Sequence, residues 1–447
     1  MTTALSPIRR VGGSVRVPGD KSIAHRAALL SILSKGEIRV SNYPDGQDCL
    51  ASLKAAQTLG VAVKQDDNSI LLTPPGHQVI DPDCVVDCQN SGTTARLLAG
   101  IAAGSNMELT LVGDESLSNR PMKRIIDPLT EMGAQLFADD AHLPIRVRGT
   151  KLLPFEYTLP VASAQVKSAI LLAGLASSCS VSLREETVTR DHTERMIAAI
   201  GSGLSVREIK PQFVTDPNDP RKKKLEMPES FKVEITVSPQ AAIEGGEIDI
   251  PGDMSTAAFF FATAAISGKP VTVEQVGLNP TRTAFLEYLK LIGCKVEISG
   301  RHTVSDEPRG DVTVSGRGDR SRKIAGEKTV GLIDEIPIIS IIAAFANGTT
   351  VIRDASELKV KESNRLEAIA DNLERMGVKC GRLDDGLAIE GNPEPAGADF
   401  ISYGDHRIAM ACTIASLFAA GPSTLDDDSC IAVSCPGFFN LLRRIAQ

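Results

Sequence analysis

With 447 residues, a formal net charge of −8 and acidic and basic residues mixed along its length, the chain lacks the basic stripe of a general nucleic-acid binder. Its hydrophobic share of 42% and charged share of 23% are those of an ordinary globular protein, and with aromatics at 4% and no Trp its core must be mostly aliphatic. No apolar run reaches the length of about 18 residues that a membrane-spanning helix needs without polar interruption.

This length favours two or three domains. The opening MTTALSPIRR has neither a signal-peptide core nor a long amphipathic transit segment, and the nine cysteines contain no close CxxC pair. The expectations are therefore a cytoplasmic protein in a reducing compartment, without a disulfide framework. The Cys84–Cys88 spacing has no histidine nearby in sequence to complete a zinc set, so no metal is expected.

Along the chain one phrase recurs six times: an Ala-rich apolar helix, a small residue to stop it, then a strand rich in β-branched residues. The copies are HRAALLSILSKGEIRV, ARLLAGIAAGSNMELTLV, KSAILLAGLASSCSVSL, STAAFFFATAAISGKPVTV, PIISIIAAFANGTTVI and HRIAMACTIASLFAAGPSTL. The helices are apolar on nearly all faces and so belong inside. Gly36, Gly104, Gly268, Gly348 and Gly421 fall where C-caps are expected. A second phrase interleaves, amphipathic and ending in Gly60, Gly133, Gly293 or Gly377 before a strand: SLKAAQTLGVAV, IIDPLTEMGAQL, LEYLKLIGCKVEI and IADNLERMGVKC. TERMIAAIGSGLSV is a looser fifth case. Six such units predict an α/β protein with pseudo-symmetric packing, sheets facing solvent and apolar helices buried between them. RKKK at 221–224 reads as a solvated loop.

The doubled phrases VPGDKSIAHR (17–26) and IPGDMSTAAF (250–259) each leave a strand through Pro-Gly, as a crossing between two lobes would. The first carries Lys21, Ser22 and Arg26 at a helix start, where free amides and the helix dipole favour an anion; the second keeps the fold signal and loses every cation. NSGTTAR comes next, with Gly92 in a nest of small residues that is also ordinary N-capping; Arg96 either points back to it or tethers the helix. NRPMKR contributes Arg120 ahead of a proline expected to begin the next helix, and SAQVKSA contributes Ser163, Gln165 and Lys167 at the third helix start. Arg190, Asp191 and His192 precede a fourth helix.

In the second half LIDEIP holds Asp334, KVKESNRL holds Lys361, Glu362 and Arg365, and GDHR holds Asp405, His406 and Arg407. Lys361 and Arg365, four apart, are expected on one helix face, with Glu362 oriented as a proton carrier; the trio also reads as a salt-bridge lattice. Cations at helix starts in both halves of an acidic protein imply a cleft focused for anions, at least one of them phosphorylated. The absence of GxxxxGK[ST], a dinucleotide fingerprint and GxSxG argues against ATP, GTP, NAD and a serine hydrolase.

In VPGDKSIAHRA, NSGTTARLL, NRPM, SAQVKSA, IPGDMSTAAFF, GLNPTRT, DEIP, KESNRL and GDHRIAM, in that order from about residue 17 to 410, the chain resembles the 5-enolpyruvylshikimate-3-phosphate synthase family. The resemblance implies a two-lobed enolpyruvyl-transferase fold, each lobe three βαβαββ-type units. One lobe would span 20–247 and the other 1–19 plus 248–447. It implies transfer of the enolpyruvyl group of phosphoenolpyruvate to the 5-hydroxyl of shikimate 3-phosphate, without a cofactor, through a tetrahedral intermediate in a monomer. Lys21 would touch both ligands. Ser22, Arg26, Ser163, Ala164, Gln165 and Arg190, with Asp334 and Lys361, would hold shikimate 3-phosphate. Gly92, Arg120, Gln165, Arg365 and Arg407 would hold phosphoenolpyruvate. Asp334 would take the hydroxyl proton, and Glu362, assisted by Lys361, would protonate the methylene carbon.

KSIAHRA, KESNRL and GDHR point away from the sister UDP-N-acetylglucosamine enolpyruvyl transferase, and the retained Asp334 and Lys361–Glu362 away from a silent scaffold of the same fold. Val433 stands where some family members place a lysine, which puts one phosphate-side contact in doubt. Glyphosate is a candidate inhibitor, because Gly92 removes the crowding that an alanine there imposes in certain relatives.

Overall fold

The computed structural model describes residues 2–8, 10–66, 68–76, 84–216 and 219–446. Its buried apolar side chains gather into two separate cores. One runs from Ile23 to Ile250. The other joins Leu5, Val15 and Val17 to the stretch from Met254 to Ile445.

Each core is built from three like units of strand, inner helix, strand, outer helix and hairpin, except that in the last unit Thr3–Leu5, from the start of the chain, pairs with Ser423–Leu425 in place of the hairpin. The inner helices are Lys21–Leu30, Gly92–Gly104, Ala164–Ser177, Met254–Ser267, Ile336–Ala344 and His406–Ser416. Asp20, Ser91, Ser163, Asp253 and Asp405 cap five of them by accepting a hydrogen bond from a backbone N–H of the first turn, each cap contributing about 1 kcal/mol. Their apolar circumference drives them inward: every residue from Met254 to Ile266 is buried. Gly100 and Gly104 let helix Gly92–Gly104 lie against the backbone of Ala169 and Ala173, where a Cβ would collide.

The sheets repeat one pattern. In the second unit, Cys84–Asp87 pairs parallel with Glu108–Val112, which pairs antiparallel with Ile145–Arg148. In the first unit the parallel partner of Ile38–Ser41 is Gly246–Asp249, far along the chain. In the fourth, the parallel partner of Val271–Gly277 is Gly13–Val15. The strand preceding each Pro-Gly phrase thus lies in the sheet of the other core, and the chain crosses directly after it. At the crossing the two phrases hold each other: Asp20 N donates to the Pro251 carbonyl at 2.8 Å and Asp253 N to the Pro18 carbonyl at 2.9 Å. A Cβ on Gly19 would strike the carbonyl oxygen of Asn42, so this passage requires glycine.

Three expectations need correction. RKKK lies within strand Asp219–Glu226, paired with Gln212–Asp216, because backbone pairing needs no apolar face. Among the expected caps only Gly268 and Gly348 adopt positive φ; the first inner helix ends well before Gly36, whose missing Cβ instead admits the Glu244 carbonyl. All four glycines of the second phrase do adopt positive φ. Lys361 and Arg365 do not share a helix: Lys361 closes the 3-10 turn Ser356–Val360, and Arg365 opens helix Arg365–Arg375 behind its cap Asn364.

Candidate active site

The first turns of five inner helices open on one cleft between the cores, lined by Lys21, Gly92, Gln165, Ser255 and Arg407 among others. Asp334 reaches the same cleft two residues ahead of the remaining inner helix. Five helix N-termini aimed at one space make it a place for anions before any side chain is counted.

The side chains reinforce that field. From the first lobe come Lys21, Arg96, Arg120, Arg124 and Arg190; from the second come Arg282, Lys361, Arg365 and Arg407. The second lobe threads carboxylates among its cations. Arg365 is buried and serves three of them: Nε donates to Asp405 Oδ2 at 2.7 Å, Nη2 to Glu362 Oε2 at 2.7 Å, and Nη1 stands 3.8 Å from Asp334 Oδ1. Lys361 Nζ sits 3.9 Å from the same Asp334 oxygen and 2.7 Å from Glu357 Oε1. Arg407 Nη1 donates to the Asp334 carbonyl at 2.7 Å.

Among the residues lining the cleft, two ion pairs cross between the lobes. Arg190 binds Asp334 directly, and Arg120 Nη1 lies 3.8 Å from Glu362 Oε1. Both acids are strongly perturbed. Burial alone would raise Asp334, but Arg190, Arg407 and Lys361 outweigh it and hold its carboxyl well below the usual range. Burial likewise opposes ionisation of Glu362, and Arg365, His406, Arg120 and Lys21 overcome it in the same direction. Both are therefore carboxylates while these cations face them.

Of the fourteen residues singled out for ligands or catalysis, all but Arg26 line this cleft. Arg26 lies one layer behind, its guanidinium donating to the Ser22 carbonyl at 2.9 Å, Ser168 Oγ at 2.9 Å and Thr193 Oγ1 at 2.7 Å. Lys167, noted at the same helix start as Gln165, is buried and turned away, with Nζ 3.0 Å from Glu185 and 2.8 Å from Glu194. Arg96 faces the cleft and holds it together: Nη1 donates to Gln165 Oε1 at 2.7 Å, and Gln165 Nε2 donates to Thr93 Oγ1 at 3.0 Å. Its pKa falls to about 10 through burial and the neighbouring Arg124 and Arg120.

Sequence reasoning missed Arg124, Arg282 and Asp48. Arg124 stands four residues after Arg120, and Arg282 lies inside GLNPTRT, so both carried a local signal. Asp48 carried none, being brought to Lys21 Nζ by packing of the first two helices. Val433 borders a small hollow beside Asp48, Asp114, Glu362 and His406, where acids face an aliphatic side chain.

A family model described as EPSP synthase (3-phosphoshikimate 1-carboxyvinyltransferase) matches residues 5–229 and 221–442. The 3-phosphoshikimate 1-carboxyvinyltransferase of Desulforamulus reducens is 42% identical over 450 aligned positions, covering 100% of this chain and 99% of the relative. That of Geobacter sp. is 40% identical, covering 99% of each. Among solved structures, the EPSP synthase of Acinetobacter baumannii superposes with a TM-score of 0.79 at 36% identity, covering 100% of this chain and 98% of the other. The enolpyruvyl transferase NikO of Streptomyces tendae superposes with a TM-score of 0.75 at 15% identity, over 99% and 97% of the two chains, a likeness of fold alone. Six units in two lobes around a cation-rich cleft define the enolpyruvyl-transferase class. Within it, the chain belongs to the EPSP synthase (3-phosphoshikimate 1-carboxyvinyltransferase) family.

Proposed function

We propose that the chain transfers the enolpyruvyl group of phosphoenolpyruvate to the 5-hydroxyl of shikimate 3-phosphate and releases phosphate. One observation carries the reading: two carboxylates, Asp334 and Glu362, are held by a single buried Arg365 inside a ring of cations drawn from both lobes. We take the lobes as 20–247 and 1–19 with 248–447; the cores themselves divide a few residues later, with Ile248 and Ile250 packed in the first.

In this reading Lys21, Ser22, Ser163, Ala164, Gln165 and Arg190 hold shikimate 3-phosphate, with Arg26 acting through its grip on Ser22. Lys21, Gly92, Arg120, Gln165, Arg365 and Arg407 hold phosphoenolpyruvate. The acceptor displaces Arg190 from Asp334, which frees that carboxylate to rise toward its ordinary pKa and take the hydroxyl proton. Phosphoenolpyruvate brings negative charge among Lys21, Arg120 and Arg365, cancelling the field that keeps Glu362 ionised. Glu362 then gains a proton and delivers it to the methylene carbon as the acceptor oxygen bonds to the adjacent carbon. Return of a methyl proton, with loss of phosphate, restores the double bond as an enol ether. The cations stabilise crowded negative charge in a space screened from water.

The test is phosphate release from phosphoenolpyruvate with either shikimate 3-phosphate or UDP-N-acetylglucosamine as acceptor, with the ether identified by mass. Release only with shikimate 3-phosphate is expected; release only with the nucleotide sugar would overturn the acceptor assignment. Proton uptake when phosphoenolpyruvate joins the acceptor complex in weak buffer checks the Glu362 step. Glyphosate is expected to compete with phosphoenolpyruvate, and no competition at millimolar glyphosate would remove it as an inhibitor.

A further inference from the structure

Beneath Lys21 the cleft floor holds a nitrogen, an oxygen and a sulfur donor that the transfer reaction does not use as a set. One ligand-capable atom from each of His25, Asp48 and Cys49 lies within 4.8 Å of the others, and all three residues are buried. They meet because helix Gln47–Thr58 packs across helix Lys21–Leu30.

A chain of hydroxyls fixes the imidazole. Thr94 Oγ1 donates to Ser91 Oγ at 2.7 Å. It must therefore accept from Ser52 Oγ, 2.6 Å away, and Ser52 Oγ must accept from His25 Nδ1 at 2.7 Å. The proton resides on Nδ1, and Nε2 presents its lone pair 3.9 Å from Asp48 Oδ2. That Asp48 oxygen is held by the Lys21 ammonium, whose place a metal ion would take, and a histidine oriented through its second nitrogen is the arrangement metal sites use. The other Asp48 oxygen, Oδ1, is buried without a hydrogen-bond partner among the described residues. Tetrahedral Zn²⁺ needs such donors about 3.3–3.6 Å apart, within small side-chain adjustments of this spacing.

We infer that His25, Asp48 and Cys49 form a binding site for a soft divalent cation, Zn²⁺ or Cd²⁺, whose occupation competes with Lys21 for Asp48 and inhibits the enzyme. Binding converts the Cys49 thiol to a metal-bound thiolate and releases its proton to solvent. The hydroxyl chain leaves the Nε2 lone pair facing the site, so the nitrogen ligand carries no proton to lose. Lys21 keeps its charge but loses the Asp48 oxygen that now anchors its ammonium.

The experiment titrates the full chain with CdCl₂, reading the ultraviolet thiolate-to-cadmium charge-transfer band without substrate and phosphate release with substrate. One equivalent is expected to saturate the band, release about one proton per ion and suppress phosphate release, with recovery on adding EDTA. Cys49→Ala should retain basal phosphate release and lose the band. Ser52→Ala, which removes the support of Nδ1, should keep the band with roughly 10–100-fold weaker affinity. A band that persists in Cys49→Ala, placing the ion on another cysteine, would overturn the site. A band that saturates while phosphate release continues unchanged would overturn the competition with Lys21.

Discussion

The two crossings share their backbone and differ in the side chains that come after it. Asp20 and Asp253 each cap a helix, and each donates its N–H to the other phrase. After the first come Lys21 and Ser22, facing the cleft. After the second, Met254, Ala257 and Ala258 are wholly buried, and the cleft is met by Ser255, Thr256 and Phe259, none of them a cation, with Ser255 binding Arg282 and donating to Glu335 at 2.5 Å. The lobes diverge in the same sense. The first meets the cleft mainly with cations and amides, whereas the second interleaves its cations with Asp334, Glu357 and Glu362. In the proposed reaction one architecture holds anions on one side and carries the proton chemistry on the other.

The sharpest way to break this division is Asp334→Asn. Loss of the proposed base should lower kcat by roughly 10²–10⁴-fold, read by phosphate release at saturating substrates. A loss below tenfold would place the proton chemistry elsewhere. Met254→Lys writes the first phrase into the second; without an acid such as Asp48 to meet it, the buried ammonium should destabilise the fold by more than about 3 kcal/mol in urea unfolding. Tolerance of that lysine would show that the second crossing is as open as the first.

Acid tests both lobes, through His25 in the first and through His406, lowered by burial to about 3, in the second. His25, in the first, stays neutral down to about pH 4 in the native state, whereas the unfolded chain takes up that proton near 6.5. Stability from this residue is complete above pH 6.5 and declines as pH falls toward 4. At pH 5, His25→Asn should therefore spare about 2 kcal/mol of the loss, measured as a flatter melting temperature against pH. Asp334 and Glu362, lowered in the second lobe, add stability that is present above the ordinary carboxylate range and disappears below it, a limb His25→Asn leaves intact. The smallest effect belongs to Gly92→Ala. Its Cβ would lie 2.8 Å from Arg96 Nη1 and 3.4 Å from Arg120 Nη1, pressing on the first lobe's anion contacts. A rise in KM for phosphoenolpyruvate of about tenfold is expected, with kcat changed less.

Much of this was legible in the chain itself. Six apolar helical phrases announced six buried helices, since a helix without a polar face has nowhere else to go. Lys21, Gln165 and Arg407 were legible because a helix start fixes where its first side chains point. Arg26 was readable as a neighbour of Ser22 and unreadable as a residue of the second layer, because depth depends on Ser168 and Thr193, far along the chain. Lys361 and Arg365 share a target although a cap at Asn364 separates their helices, which spacing alone does not reveal.

Local pattern therefore determined the repeat, the helix starts and most of the cleft's cations. These rest on periodicity, capping and charge, which act over a few residues. Tertiary structure alone decided the exchanged strands, the Arg190–Asp334 and Arg120–Glu362 pairs between lobes, and the meeting of Lys21 with Asp48. Those contacts join residues tens to hundreds of positions apart. Burial and opposing charge set them only once two cores have formed and closed on a common space.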